Sequence, residues 1–185
     1  MTIYLVAGPP GIGKSTHSQS FIPLGVPIVD QDLAAYQYKK VGFANYQDIA
    51  SLTSNQRIRD LLFNQESFAL ELNLGFESHY DYLRSIAAFD HKNQIDLILF
   101  FSDDVNVCLD RAKIRHLNGG HEVTADVIKE MYAATMPLFE RNKILFSRII
   151  LVDVTYDTVI ELTEDHEPLP AWVKINNLQR YLLTR

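Results

Sequence analysis

The sequence predicts an α/β fold in which a mostly parallel central sheet carries helices on both faces. Three observations predict it. Short apolar runs bounded by turn residues alternate with segments of helical spacing. The strongest run, residues 95–101, is apolar at nearly every position, as a strand buried on both faces must be. The 185 residues are 47% hydrophobic and 22% charged, which suits one packed domain over 1–185 and argues against a mostly disordered chain.

The elements follow in order. Residues 2–7 (TIYLVA) form an apolar run that stops at Gly8-Pro9-Pro10-Gly11, as a buried strand entering a tight loop does. Residues 14–21 suit a helix closed by Pro23. A second apolar run at 26–29 leads into Asp30-Gln31-Asp32. The segment 54–66 places Ile58, Leu61 and Leu62 at helical spacing. Residues 68–72 either continue that helix or form a short strand; the strand is preferred, although periodicity alone does not separate the two. Residues 79–89 set Leu83, Ile86 and Ala87 on one helical face.

After the strand at 95–101, Ser102 or Asp103 is a good N-cap for a helix striped by Val105, Cys108, Leu109 and Ala112. Asn118-Gly119-Gly120 stops that helix. A helix covers 125–136, and Pro137 can open a further one. The stretch near 111–136 is the expected lid and helical region. Residues 149–152 read as a strand ending at Asp153, 158–163 as a last strand, and 171–183 as a terminal helix.

Composition excludes several functions. Seventeen Lys plus Arg against 23 Asp plus Glu leave a net charge of −6. That balance disfavours non-specific binding to nucleic acid or anionic membrane. The single cysteine, Cys108, permits no intramolecular disulfide and no cysteine-rich zinc site, which points to a cytoplasmic location. No apolar run approaches the ~20 residues of a membrane helix.

Residues 8–15, Gly-Pro-Pro-Gly-Ile-Gly-Lys-Ser, match the G-x-x-x-x-G-K-[ST] pattern between a strand and a helix. The chemistry needs these residue types. Gly8, Gly11, Ile12 and Gly13 shape a turn whose N–H groups converge on an anion, and the following helix adds the positive end of its dipole. Lys14 can reach the β- and γ-phosphates of ATP. The Ser15 hydroxyl can ligate Mg²⁺, and Thr16 can add a phosphate contact. The fold class is therefore a P-loop NTPase three-layer sandwich that binds a nucleoside triphosphate.

Three further elements bear on the phosphoryl acceptor. Asp30 and Asp32 follow the second strand, where ligands of parallel sheets bind. Asp32 is the preferred base for an attacking hydroxyl, against the alternative that either aspartate caps the next helix. Glu71 and Asn73 share one face if 68–72 is a strand, and could then hydrogen-bond a sugar hydroxyl or an acetamido group. Arg111 and Arg115 lie four apart on one helix face. They suit cations over a transferring phosphoryl group, against the plainer reading of a solvated face neighboured by Asp110. Asp103 and Asp104 read better as helix caps than as Mg²⁺ ligands. His17, His79, His91, His116 and His166 show no ligand spacing, and Cys108 sits on an apolar stripe.

GPPGIGKST, Asp32 after the second strand, FALELNL, and Arg111-x-x-x-Arg115-x-x-x-Gly-Gly-His121-x-Val123 occur in the order of the zeta-toxin-like P-loop proteins, which the chain resembles over roughly 3–153. The resemblance implies an ATP- and Mg²⁺-dependent kinase acting on a small-molecule hydroxyl, typically the amino-sugar 3′-hydroxyl of a UDP-N-acetylamino sugar. It implies that Lys14 and Ser15 handle ATP and Mg²⁺, that Asp32 is the base, that Glu71 contacts substrate, and that Arg115, with Arg111, lies near the phosphates. It also raises an antitoxin protein as a partner. The sequence departs from the pattern at Leu72 and Asn73, where the family carries hydroxyl residues. It departs again at Glu130-Met131-Tyr132, where an Arg-Arg-Tyr segment is usual, and after Asp153, which Val154 follows rather than asparagine. A missing lid arginine is expected to slow transfer. Two alternatives stand beside the sugar kinase: a polynucleotide 5′-kinase, which the acidic charge disfavours, and an ATP-binding module with little turnover.

Overall fold

The computed structural model describes residues 1–120, 122–155 and 158–182. Six strands form one sheet in the order β2-β3-β1-β4-β5-β6: β1 (Thr2–Ala7), β2 (Ile28–Val29), β3 (Phe68–Leu72), β4 (Gln94–Phe101), β5 (Arg148–Asp153) and β6 (Ile160–Glu161). The first five in this spatial order run parallel, and β6 is antiparallel to β5. Leu5 of β1 sits between Leu70 of β3 and Leu97 of β4, and Leu97 faces Ile149 of β5.

Side-chain alternation along these strands feeds two cores. Ile3, Leu5, Leu97 and Leu99 point to one face. They meet α3 (Tyr46–Phe63), α4 (Glu77–Ala87), the second half of α6 (Ala125–Asn142) and α7 (Ala171–Ile175). Val6, Ile98, Phe100 and Val152 point to the other face, against Ile12, Ile22, Ile128 of α6, and Cys108 and Ala112 of α5 (Val105–Leu117). The three-layer sandwich read from the sequence is the architecture observed. Residues 68–72 form the preferred strand, because Phe68, Ala69 and Leu70 are buried between neighbours on both sides.

Several boundaries differ, each for a physical reason. The first helix is α-helical only over α1 (Lys14–His17) and tightens into a 3-10 turn over Ser18–Phe21. A ten-residue helix, α2 (Gln31–Lys40), follows β2; it buries none of its residues, so it carries no apolar stripe to read. α3 starts at Tyr46, eight residues before the expected start. The N-cap of α5 is Asp104, whose carboxylate accepts from Asn106 N–H at 2.8 Å.

Pro137 opens no new helix. α6 runs through it to Asn142. An internal proline costs about 3 kcal/mol in lost hydrogen bonding and clash, yet Met136, Leu138 and Phe139 around it are all buried, and Pro137 itself faces solvent. The last strand shrinks to Ile160–Glu161. The terminal helix shrinks to α7 plus a 3-10 turn at Gln179–Tyr181, and Leu183 lies outside the described residues. Asp103, read as a cap, caps a different helix: its two carboxylate oxygens accept from Ala171 N–H at 2.8 Å and Trp172 N–H at 2.6 Å. Among the described residues no helix is long and apolar enough to cross a membrane.

Candidate active site

The glycine loop lies at the C-terminal end of β1, pressed between β4 and α5. A Cβ on Gly8 would stand 2.3 Å from the Phe100 carbonyl oxygen, and one on Gly11 would stand 2.3 Å from the Cys108 carbonyl oxygen. Both glycines also hold positive φ, 143° and 81°. Only a residue without a side chain fits either place. Ile12 drops into the core, fully buried, and its carbonyl accepts from Arg111 Nη1 at 2.9 Å. The loop is thus bolted to α5 by one arginine.

Lys14 opens α1 and is 5% exposed. Its ammonium donates to the carbonyls of Gly8 at 2.8 Å and Pro9 at 3.2 Å, and to Asn73 Oδ1 at 2.6 Å. Burial pulls this amine below the ordinary lysine range, and the nearby carboxylates of Glu71 and Asp32 pull it back up. The next residue, Ser15, donates from Oγ to Glu71 Oε1 at 2.8 Å. Burial raises Glu71 to about 7, against the attraction of Lys14. Its second oxygen, Oε2, is buried with no hydrogen-bond partner among the described residues.

The two aspartates after β2 divide their roles. Asp30 is the N-cap of α2, accepting from Leu33 N–H at 3.0 Å. Asp32, in the first turn, faces the loop. A cavity of about 290 Å³ brings Lys14, Ser15, Thr16, Asp32, Asn73 and Arg115 onto one wall system, closed by Glu71 and Arg111. Among the described residues, Arg115 Nε and Nη2 are buried and have no hydrogen-bond partner. Two unspent guanidinium donors beside the loop suit an anion with several acceptor oxygens, as a phosphate has. Ser15 Oγ and the free oxygen of Glu71 are hard oxygen ligands of the kind Mg²⁺ takes. Gly13 and Gly11 line the same cavity, whereas Gly8 and Ile12 support it from behind.

A second cavity, about 570 Å³, opens on the other side of Ser15 and Glu71 and runs between β2, α2 and α3 to Tyr38 and Arg57. A third, about 290 Å³, adjoins Glu71 at Gln31, Asn55, His79 and Tyr82. Glu71 therefore stands where the three meet. Sequence reasoning missed Arg57, Tyr38 and His79 as cavity residues. Tyr38 sits on α2, which buries none of its residues, Arg57 is one of several exposed polar residues on α3, and a lone histidine without a spaced partner carries no signal.

The segment Glu130-Met131-Tyr132, expected in the lid, packs into the fold. Met131 is buried against Gly75, where a Cβ would lie 2.5 Å from that of Met131, and Tyr132 Oη donates to the Ser102 carbonyl at 2.6 Å. Glu130 is exposed. His121 lies outside the described residues.

No protein-family model and no curated protein matches the chain. Solved structures do. A candidate kinase from Chloroflexus aurantiacus superposes with a TM-score of 0.61 at 16% identity, covering 98% of each chain. A chain of the AvrRxo1-ORF1:-ORF2 complex with ATP gives 0.64 at 14% identity over 87% of this chain and 57% of its own. The PezAT chromosomal toxin–antitoxin system of Streptococcus pneumoniae gives 0.59 at 15% identity, over all of this chain and 78% of its own. The chain has the fold of a P-loop kinase. It spans little more than half of the AvrRxo1 chain and nearly all of the Chloroflexus protein.

Proposed function

We propose that the protein is an ATP-dependent kinase that phosphorylates a hydroxyl group of a small molecule, with a UDP-N-acetylamino sugar as the favoured acceptor class. The observation that carries the reading is that Ser15 and Glu71 line both the loop cavity and the larger cavity beside it, with Asp32 on the wall of the loop cavity. One side offers cations and loop N–H groups to a triphosphate; the other offers room for an acceptor.

In this reading ATP lies along the loop, with its β- and γ-phosphates at Lys14 and Thr16. Arg115 uses its two free donors on the transferring group, and Arg111 holds the loop's shape through Ile12. Mg²⁺, held through Ser15 Oγ, would neutralise charge on the β- and γ-phosphates when bound. The acceptor hydroxyl sits by Asp32, which takes its proton as the oxygen forms a bond to the γ-phosphorus and ADP leaves. Glu71 orients the acceptor through its unpartnered oxygen. The sugar class rests on the family resemblance, together with an acceptor cavity of about 570 Å³ that has polar walls at Gln37, Tyr38 and Arg57. An antitoxin partner enters the reading through the family resemblance and the likeness to PezAT.

Mass spectrometry tests the proposal. The protein, Mg²⁺-ATP and a panel of UDP-sugars including UDP-N-acetylglucosamine are incubated beside the Lys14→Ala variant. A product heavier by one phosphoryl group, absent from the control, is expected. ATP binding without any sugar product would remove the sugar class and leave the kinase reading to other hydroxyl acceptors.

A further inference from the structure

An ammonium group has three protons to donate. On Lys14 all three are engaged: by the carbonyl of Gly8, the carbonyl of Pro9 and the side-chain oxygen of Asn73. A phosphate oxygen can reach this ammonium with a full hydrogen bond only by displacing one of them. The two carbonyls belong to the loop itself, and Gly8 is clamped against Phe100. They cannot leave without unfolding the turn. Asn73 is different. It follows β3 rather than belonging to it, is only partly buried, and holds Lys14 with a side chain that rotates about two bonds.

We propose that Asn73 is a displaceable holder of the loop lysine, a neutral acceptor that the β- or γ-phosphate must replace, and that it thereby sets the affinity for nucleotides long enough to reach Lys14. The inference rests on the reading that the loop binds ATP.

The neutrality of the residue matters. Glu71, Asp30 and Asp32 already act on Lys14 electrostatically. A carboxylate at position 73 would add a fourth negative charge, this one directly on the ammonium, where it would compete with phosphate far more strongly than an amide oxygen does. An amide oxygen holds the lysine in place across the cavity and still yields to an anion.

The test is calorimetric titration of the full chain with Mg²⁺-ATP and, separately, with AMP, which has no β- or γ-phosphate. Asn73→Ala is expected to bind ATP about three- to ten-fold more tightly than the wild type, and Asn73→Asp at least ten-fold more weakly, with AMP affinity unchanged in both. A purely structural role for Asn73 would move ATP and AMP together, and that result overturns the proposal. Weakened ATP binding by Asn73→Ala overturns it too, since Asn73 would then belong to the nucleotide's own contacts. Asn73→Ser, with a shorter side chain that does not span to Lys14, repeats the alanine test should that variant fold poorly. Lys14→Ala separates the two readings. If the wild type binds ATP and Lys14→Ala does not, the loop reading stands whatever Asn73 does. If neither binds ATP, both readings fall.

Discussion

Ser15 Oγ donates a hydrogen bond to Glu71 Oε1 across 2.8 Å, joining the hydroxyl that follows the loop lysine to the carboxylate at the end of β3. The bond joins residues fifty-six positions apart, and it places the proposed metal ligand and the proposed acceptor contact in one unit.

Lys14→Ala is expected to weaken ATP binding and to reduce phosphoryl transfer by about 10²-fold or more, the scale of losing one charged donor at a transferring group. Calorimetry and acceptor-dependent ADP release check the two effects separately. Full transfer activity in this variant would remove the loop from the chemistry.

Asp32→Asn keeps the shape of the side chain and removes its basicity. ATP binding should survive, since Asp30 and not Asp32 caps α2, while turnover falls by about 10²-fold or more. Single-turnover kinetics at saturating ATP make the comparison. Normal turnover would reassign the base.

Arg111 and Arg115 should separate. Arg111 is tied to Ile12, so Arg111→Ala is expected to lower thermal stability and ATP affinity together. Arg115 lines the loop cavity, and among the described residues its buried Nε and Nη2 have no hydrogen-bond partner, so Arg115→Ala should lower kcat by about 10³-fold with a much smaller change in melting temperature. Equal melting shifts for the two variants would contradict this division.

Glu71 makes stability depend on pH. Its carboxyl is raised from 4.5 to about 7 in the folded chain. Between those values the folded state binds more protons than the unfolded one, so stability falls as pH rises, and levels off above about 7. The full effect is of order 3 kcal/mol. His79, which burial holds below the usual histidine range, slopes the other way, losing stability as pH falls below about 6.5. Urea titrations of wild type and Glu71→Gln from pH 4.5 to 8 isolate the first effect: the stability difference should shift in favour of the variant as pH rises. A difference independent of pH would sink the assignment.

Asp103→Ala should cost about 1–2 kcal/mol, since two N–H groups at the start of α7 lose their acceptor. Trp172 also donates its indole N–H to the buried Asp153 at 2.8 Å, so part of the helix's anchorage survives. Chemical denaturation measures the loss, and indole fluorescence reports whether α7 stays docked.

The sandwich and the loop were legible because both are local. A strand buried on two faces shows as a continuous apolar run, and the glycine-lysine pattern needs no distant residue to complete it. α2 was not assigned because it buries nothing, so its residues follow no period. The course of α6 through Pro137 was hidden because burial on either side of the proline overrides the local rule. The aspartates after β2 could be found by position but not told apart, since which one caps the helix depends on where the backbone turns. The contacts of Asn73 with Lys14 and of Asp103 with α7 join residues 59 and 68 or more apart, a relation no spacing within one element encodes.

The outer strands of the sheet have a consequence for association. β2 and β6, at opposite edges, are two residues each, whereas β4 in the interior has eight. An edge this short offers another chain almost no row of free N–H and C=O groups, and β6 carries the exposed Glu161. The longest apolar strand, β4, is paired along both edges by β1 and β5, so in the folded protein its run of hydrophobic residues has no free edge with which to template pairing to another chain.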